Sequence, residues 1–341
     1  MSATLNVVQV GCGGMGQHWL GVLKGNPRTR LAGVVDLRLE AAQKAAAKAE
    51  LPAQAARTDL AAALRELKPD LVVDVTTPEA HRDVTLAALA AGCHVIGEKP
   101  LADTMEHARE MVAAAQAANR IYMVSQNRRW IPAVRAIRQA LGEGLIGTLT
   151  TVNTDFYLGA HFGGFRAQMD HPLILDMAIH HFDMMRCMTQ TDPLAVYCHA
   201  FNPRGSWYKG KAAASVIFEM SADVVFTYRG SWCSEGLNTS WEAAWRFVGE
   251  KGSIVWDGHK SLAAEVVAQS TGQFKLPMES RTITVAESGP GGQAGSLARF
   301  LEALDAGRQP ESWGGDNIRS LAMVCGAVES AGRKERVQIV S

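Results

Sequence analysis

The chain reads as an α/β protein in two parts: an N-terminal doubly wound parallel sheet, then a C-terminal α+β domain on a mainly antiparallel sheet. Three observations predict this. Up to about residue 125, short β-branched runs alternate with longer Ala-rich stretches, the β-α-β-α order of a parallel sheet with helices on both faces. After Trp130 the apolar runs lengthen and several alternate polar with apolar. Turns as short as Gly249-Glu250-Lys251-Gly252 join them, which suits antiparallel strands. Finally, 341 residues exceed one compact core, since the usual prior is about 150 residues per domain. The expected division is 1–127 and 128–341, with the closing helices packing back on the first domain.

In order, the β-branched runs of the first part place strands at Leu5 to Val10, Leu31 to Asp36, Leu71 to Val75, His94 to Gly97 and Ile121 to Val124. The Ala-rich stretches between them place helices near 14–25, 39–48, 58–67, 79–91 and 103–118. In the second part a helix near 132–141 precedes strands near 147–157, 193–201, 212–219, 223–232, 243–249 and 252–256. One helix, about 174–189, interrupts them. A Gly-rich loop, ESGPGGQAGS, then leads to two closing helices near 296–306 and 316–332. There is no internal repeat.

Composition narrows the class. Hydrophobic residues make up 47% and charged residues 20%, which excludes a disordered or collagenous chain. Thirty-four basic residues balance thirty-four acidic ones, so no basic field is available to attract a nucleic acid or an anionic membrane. Six cysteines, at 12, 93, 187, 198, 233 and 325, form no CxxC pair and read as buried reduced thiols. The opening MSATLNVVQV lacks the features of a signal peptide, and no apolar run approaches the roughly 18 residues of a membrane span, so a cytoplasmic protein is expected.

Gly11-Cys12-Gly13-Gly14-Met15-Gly16 is a GxGxxG between an apolar strand and an amphipathic helix. Gly11 permits the tight turn, Gly13 lets the backbone approach a pyrophosphate, and Gly16 lets helix and strand pack closely. The helix N-terminus offers free N–H groups to the anion. The motif alone is weak in a chain with 32 glycines. Here, however, the second strand ends at Asp36, twenty residues after Gly16, where an acid accepts hydrogen bonds from an adenosine ribose. Together these features describe a Rossmann dinucleotide-binding domain. Asp36 favours NAD over NADP, because a carboxylate beside a 2'-phosphate costs about 1 kcal/mol or more. Arg38 pulls the other way if it reaches a phosphate or covers the adenine; otherwise it is a solvated helix start.

The fifth strand ends in Gly97-Glu98-Lys99-Pro100, which places Lys99 at the carboxyl end of an open α/β sheet, where ligands are presented. A second cluster is Asp176-Met177-Ala178-Ile179-His180-His181-Phe182-Asp183, in which Asp176, His180 and Asp183 share one face of a regular helix. A metal site at this cluster would take His161 and His171 as further ligands. The spacing is not HExxH and no thiolate is near, so no metal is expected.

With these residues in place, the sequence resembles the glucose-fructose oxidoreductase, inositol dehydrogenase and rhizopine catabolism family. The resemblance runs through GCGGMG, Glu98-Lys99-Pro100, Val124-Ser125-Gln126-Asn127-Arg128-Arg129-Trp130, the Asp176–Asp183 segment, Asp316-Asn317 and Glu329-Ser330-Ala331. It implies a second domain with a large, mainly antiparallel sheet that often mediates oligomers, hence a homo-oligomer, a dimer or a tetramer. It implies an oxidoreductase acting on a sugar, cyclitol or related hydroxy compound, with Lys99, Asp176 and His180 in the catalytic positions. Two departures stand out. Asp170-His171-Pro172-Leu173-Ile174-Leu175 replaces the usual glycine-rich run, and Ala178 replaces a glycine. The first is reminiscent of family members acting on free aldoses, including apiose dehydrogenases.

Oxidising an alcohol needs a hydride acceptor and a base. NAD supplies the first. His180 is the first choice for the base, with Lys99 as the rival or as a donor to the alkoxide, while Asp176 orients the substrate and Asp183 anchors the helix. Thr76, Thr77 and Pro78 follow a strand where hydroxyl and backbone groups can meet the nicotinamide ribose, and also read as a helix cap. His81 reads as helix surface before it reads as a cofactor contact. The family places cofactor and substrate contacts at Gln126, Asn127 and Arg128, and Glu98, beside Lys99, is a further cofactor-binding candidate. Arg166, after Phe165, resembles the arginine that precedes the family's helix aspartate and otherwise reads as a loop arginine, and His161 is a further candidate to contact substrate hydroxyls. Trp207, Trp232, Trp241 and Trp245 serve core or interface before sugar stacking. Two alternatives remain: a reductase of a diol, ketone or nucleotide-linked sugar, and a catalytically silent nucleotide-sensing regulator.

Overall fold

The structure, a computed structural model, describes residues 3–270, 274–286 and 289–341. The chain divides into two compact units, Met1–Asn127 with Gly289–Ile318, and Arg128–Ser288 with Arg319–Ser341.

The first unit runs β1 (Leu5–Val10), α1 (Gly14–Gly25), β2 (Thr29–Val35), α2 (Leu39–Lys48), β3 (Ala56–Arg57), α3 (Leu60–Leu67), β4 (Leu71–Asp74), α4 (Pro78–Ala90), β5 (His94–Gly97), α5 (Met105–Ala117) and β6 (Tyr122–Val124). The strands lie in the order β3-β2-β1-β4-β5-β6, and every described pair is parallel. The order reverses between β1 and β4, which is where such sheets bind ligands, beyond the strands' carboxyl ends. Helix α1 forms because Gly16, Trp19, Leu20 and Leu23 recur every three to four residues and bury one stripe, each large apolar side chain contributing about 1.5–3 kcal/mol. Asn26-Pro27 stops it, since the residue before a proline leaves the helical region. The expected strands and helices are found to within about two residues. The addition is β3, whose two residues are too few to show a pattern.

The second unit contains α6 (Pro132–Gly142), β7 (Leu149–Tyr157), α7 (Ile179–Thr189), β8 (Pro193–Phe201), β9 (Ala213–Met220), β10 (Val225–Ser231), β11 (Ala244–Gly249), β12 (Gly252–Trp256), β13 (Leu262–Val267), β14 (Met278–Arg281) and β15 (Val337–Gln338). Among the described residues nine strands form one sheet, β14-β13-β12-β11-β7-β10-β9-β8-β15, antiparallel except for the pair β7 and β10. Alternation explains it: Phe218, Phe226, Tyr228, Trp245 and Phe247 face the core, while Tyr197, Ile217 and Val255 stay exposed. The mainly antiparallel expectation holds, with β13, β14 and β15 added. Strand β14 is exposed throughout and β15 has two residues, so neither carries a burial rhythm.

Two local readings change. The helix expected near 174–189 begins as a π-helical turn, Leu173–Ala178, before α7 continues it. Glu287 and Ser288 of the expected Gly-rich loop lie outside the described residues, and the next helix starts at Gly292 rather than near 296. Among the described residues no helix is long and apolar enough to cross a membrane.

Candidate functional site

In the first unit the glycine turn sits at the carboxyl end of β1. Gly11 has φ +94°, and a Cβ there would lie 2.4 Å from the Val75 carbonyl oxygen. A Cβ on Gly16 would lie 2.3 Å from the Gly11 carbonyl oxygen. Gly13 and Gly14 are the opposite case: nothing stands within 4 Å of a Cβ at either. The first pair is needed for the fold, the second leaves open backbone beside the start of α1. That start has no side-chain cap and no acidic residue in its first turn, so its N–H groups suit a diphosphate. Met15, 46% exposed, stands on the same turn.

Asp36 follows β2. Its Oδ2 accepts from the Cys12 backbone N–H and its Oδ1 from the Arg38 N–H, both at 2.9 Å, which fixes the carboxylate while leaving lone pairs for a ribose. The Arg38 side chain is 79% exposed, with Nε 3.9 Å from Asp36. Burial, and then the Asp36 charge, pushes the Cys12 thiol up to about 12, so the cysteine inside the motif is inert.

After β4, Thr76 Oγ1 donates to Asp74 Oδ1 at 2.6 Å, and Thr77 with Pro78 opens α4 without a side-chain cap bond. Asp74 is fully buried, and burial raises its carboxyl above the ordinary value against the pull of His81 and Thr76. The helix-surface reading of His81 is overturned. It is 1% exposed, its Nδ1 lies 2.9 Å from the Pro100 carbonyl and its Nε2 3.2 Å from the Thr76 carbonyl, so it laces the loops after β4 and β5 together. Glu98 is likewise turned inward, accepting from Trp19 Nε1 at 2.8 Å and from Gln293 Nε2 at 3.4 Å. Glu98 is 8% exposed, held by these two donors next to Lys99 in the chain. Lys99 is half-buried and precedes a cis Lys99–Pro100 peptide. Asn127 opens a short turn after β6. Among the described residues, Asp74 Oδ2 and Gln126 Nε2 are two of several buried polar atoms of this unit with no hydrogen-bond partner, Gln9 Oε1 and Thr85 Oγ1 being others. Orphaned polar atoms of this kind, with the open glycines, fit a polar dinucleotide.

In the second unit the π-helical turn carries Asp176 and α7 carries His180, both half-buried. Asp183 is 1% exposed and lies in the core, whereas Asp176 and His180 stay half-buried. Asp183 accepts from Arg129 at 2.6 and 2.7 Å and from Ser320 Oγ at 2.8 Å. Arg166 Nε donates to Asp176 Oδ2 at 2.5 Å, and its guanidinium lies 5.2 Å from the Phe162 ring and 4.7 Å from the Phe165 ring. His161 stacks on Trp207 with ring centroids 3.6 Å apart and bonds Glu235 at 2.7 Å. Arg128 Nη1 donates to the Trp241 carbonyl, and burial lowers the pKa of its guanidinium. Trp232 and Trp245 are core residues, whereas Trp241 is 40% exposed. Burial, then Lys211, lowers the pKa of His171. Among the described residues no group of three or more His, Cys, Asp or Glu is arranged to hold a metal ion.

Sequence reasoning assigned no role to Asp74, Glu235 or His181. An acid closing the apolar run Leu71-Val72-Val73 was a usable signal for Asp74; Glu235 and His181 gain their partners only through distant chain contacts.

Two family models match this chain: the oxidoreductase family with NAD-binding Rossmann fold, GFO_IDH_MocA, over residues 5–126, and the GFO/IDH/MocA C-terminal domain over 134–255. A 1,5-anhydro-D-fructose reductase from Ensifer adhaerens is 29% identical over 79% of this chain and 80% of its own length. A D-apiose dehydrogenase from Paraburkholderia graminis is 27% identical over 83% of this chain and 76% of its own length. Among solved structures, an oxidoreductase from Agrobacterium radiobacter, in complex with NAD+, L-tartaric acid and magnesium, superposes with a TM-score of 0.84 at 21% identity, covering 98% of both chains.

Proposed function

The chain belongs to the Gfo/Idh/MocA oxidoreductase family and binds NAD, and on that premise we propose that it is a dehydrogenase of an aldose or polyol hydroxyl. The observation that carries the reading is Asp176, fixed by Arg166 one helical turn before His180, with both half-buried.

In this reading the open backbone at Gly13 and Gly14 receives the diphosphate, and Asp36 receives the adenosine ribose. When bound, NAD would supply the hydride acceptor. His180 takes the hydroxyl proton, because imidazole titrates nearest working pH. Lys99 donates a hydrogen bond to the developing alkoxide. Asp176, held by Arg166, accepts from a neighbouring hydroxyl and so orients the sugar. The reacting carbon would lose its hydrogen together with the C–H bonding electrons, His180 would hold the hydroxyl proton, and a carbonyl compound would remain. The exposed face of the second sheet, with Tyr197, Ile217 and Val255, supports a homo-oligomer, which sedimentation velocity would test.

The test is turnover with NAD or NADP across a panel of aldoses, inositols, diols and nucleotide-linked sugars. The reading expects NAD to outperform NADP and at least one aldose or inositol to react. Turnover confined to diols or nucleotide-linked sugars would overturn the substrate assignment. Tight NAD binding with no turnover on any substrate would favour the silent regulator.

A further inference from the structure

His181, the neighbour of His180, is 0% exposed in the second unit. Phe156, Tyr228 and Trp245 surround its ring at centroid distances of 4.9, 5.6 and 6.4 Å. Both ring nitrogens have polar neighbours. Nε2 lies 3.0 Å from the Trp241 carbonyl oxygen, and Nδ1 lies 3.2 Å from the Tyr228 hydroxyl. A carbonyl only accepts, so Nε2 must carry the hydrogen. In the neutral ring Nδ1 then accepts, and Tyr228 supplies the O–H. The other tautomer would set a lone pair against the carbonyl. Charging the ring is opposed first by burial and then by the Arg128 guanidinium, which donates to the same Trp241 oxygen; together they hold His181 down to about 3. One protonation state and one tautomer therefore satisfy every partner.

The place of this ring in the chain gives it a further consequence. Helix α7 starts immediately after the π-helical turn, where the regular i→i−4 ladder is interrupted and the roll of the helix is least determined by its own backbone. Successive helical side chains point about 100° apart, so a ring held at both ends at position 181 sets the direction of position 180. Its two bonds join α7 to β10 through Tyr228 and to the segment before β11 through Trp241.

We propose that His181, as the neutral Nε2–H tautomer, is the positioning residue that sets the direction in which His180 is presented. This rests on His180 being the base. The first test does not depend on activity: long-range 1H–15N spectra of the full chain, selectively labelled at histidine. The expected result is a protonated Nε2 and an unprotonated Nδ1 that do not titrate between about pH 5 and 9, where an ordinary imidazole would. An Nδ1–H tautomer, or titration in that range, overturns the proposal.

The second test uses variants on whichever substrate the panel identifies. His181→Phe keeps the ring volume and loses both bonds, and His181→Gln keeps a donor for Trp241. His181→Phe is expected to lower kcat about 30-fold, with KM and the NAD dissociation constant within about threefold, as for a misplaced catalytic group. It also displaces the acid limb of the kcat–pH profile, and His181→Gln recovers kcat to within about fivefold. Circular dichroism checks folding. If His181→Phe does not fold, a wild-type kcat and unshifted acid limb in His181→Asn, which loses the Trp241 bond, would overturn the proposal. Wild-type kcat in a folded His181→Phe overturns it while an inactive His180→Ala upholds the base. An active His180→Ala instead overturns the reading on which it rests.

Discussion

The turn Gly11–Gly16 and the turn around Asp176 and His180 are built in different ways. The first works through backbone. Its working parts are N–H groups, a positive φ and the absence of side chains, and its one fixed carboxylate, Asp36, is held by two backbone donors. The second works through side chains brought from afar: Arg166 to Asp176, Tyr228 and Trp241 to His181, Arg129 and Ser320 to Asp183. A backbone site is written in a few adjacent letters. A side-chain site depends on how a whole sheet packs beneath it.

The contrast can be broken most forcefully at Gly11. Gly11→Ala puts a Cβ against the Val75 carbonyl in a left-handed conformation, and the combined strain is about 3 kcal/mol or more. Calorimetry should show a fall in Tm of roughly 6–12 °C together with lost NAD binding. An unchanged Tm would contradict the assignment of Gly11 to the fold. Gly13→Ala sharpens the same point with a smaller effect, since its Cβ meets no protein atom. Tm should move by less than about 2 °C while the NAD dissociation constant rises at least tenfold, about 1.4 kcal/mol. Equal binding by titration calorimetry would remove Gly13 from the diphosphate site.

A further effect, spread over several units, is in pH. His181 has a folded pKa of about 3 against an ordinary 6.5, so below pH 6.5 the unfolded chain binds a proton that the folded chain refuses. Its contribution to stability is whole above pH 6.5 and is lost as pH falls toward 3, by up to about 1.4 kcal/mol per pH unit. Urea melts at several pH values should show a slope shallower by about one proton in His181→Gln. The glycine turn offers no matching group there, because Cys12 stays protonated with a pKa near 12.

The same contrast governs what the sequence made legible. The sheet of the first unit followed from apolar runs bounded by glycine and acid, and the need for glycine at 11 and 16 from local steric rules. Strands β3 and β15 were missed because two residues carry no period, and β14 because no face of it is buried. The π turn was missed because one extra residue in a helical ladder leaves no compositional mark. His81 looked like surface because its two carbonyl partners, Pro100 and Thr76, come from separate loops.

The central claim, that Lys99 and His180 carry the hydride chemistry on an NAD-binding chain, is tested most directly by the rate of NADH formation in Lys99→Ala and His180→Ala. Each is expected to lose roughly 10²–10⁴-fold in kcat while binding NAD within about threefold of wild type. A wild-type rate in either variant would contradict the account.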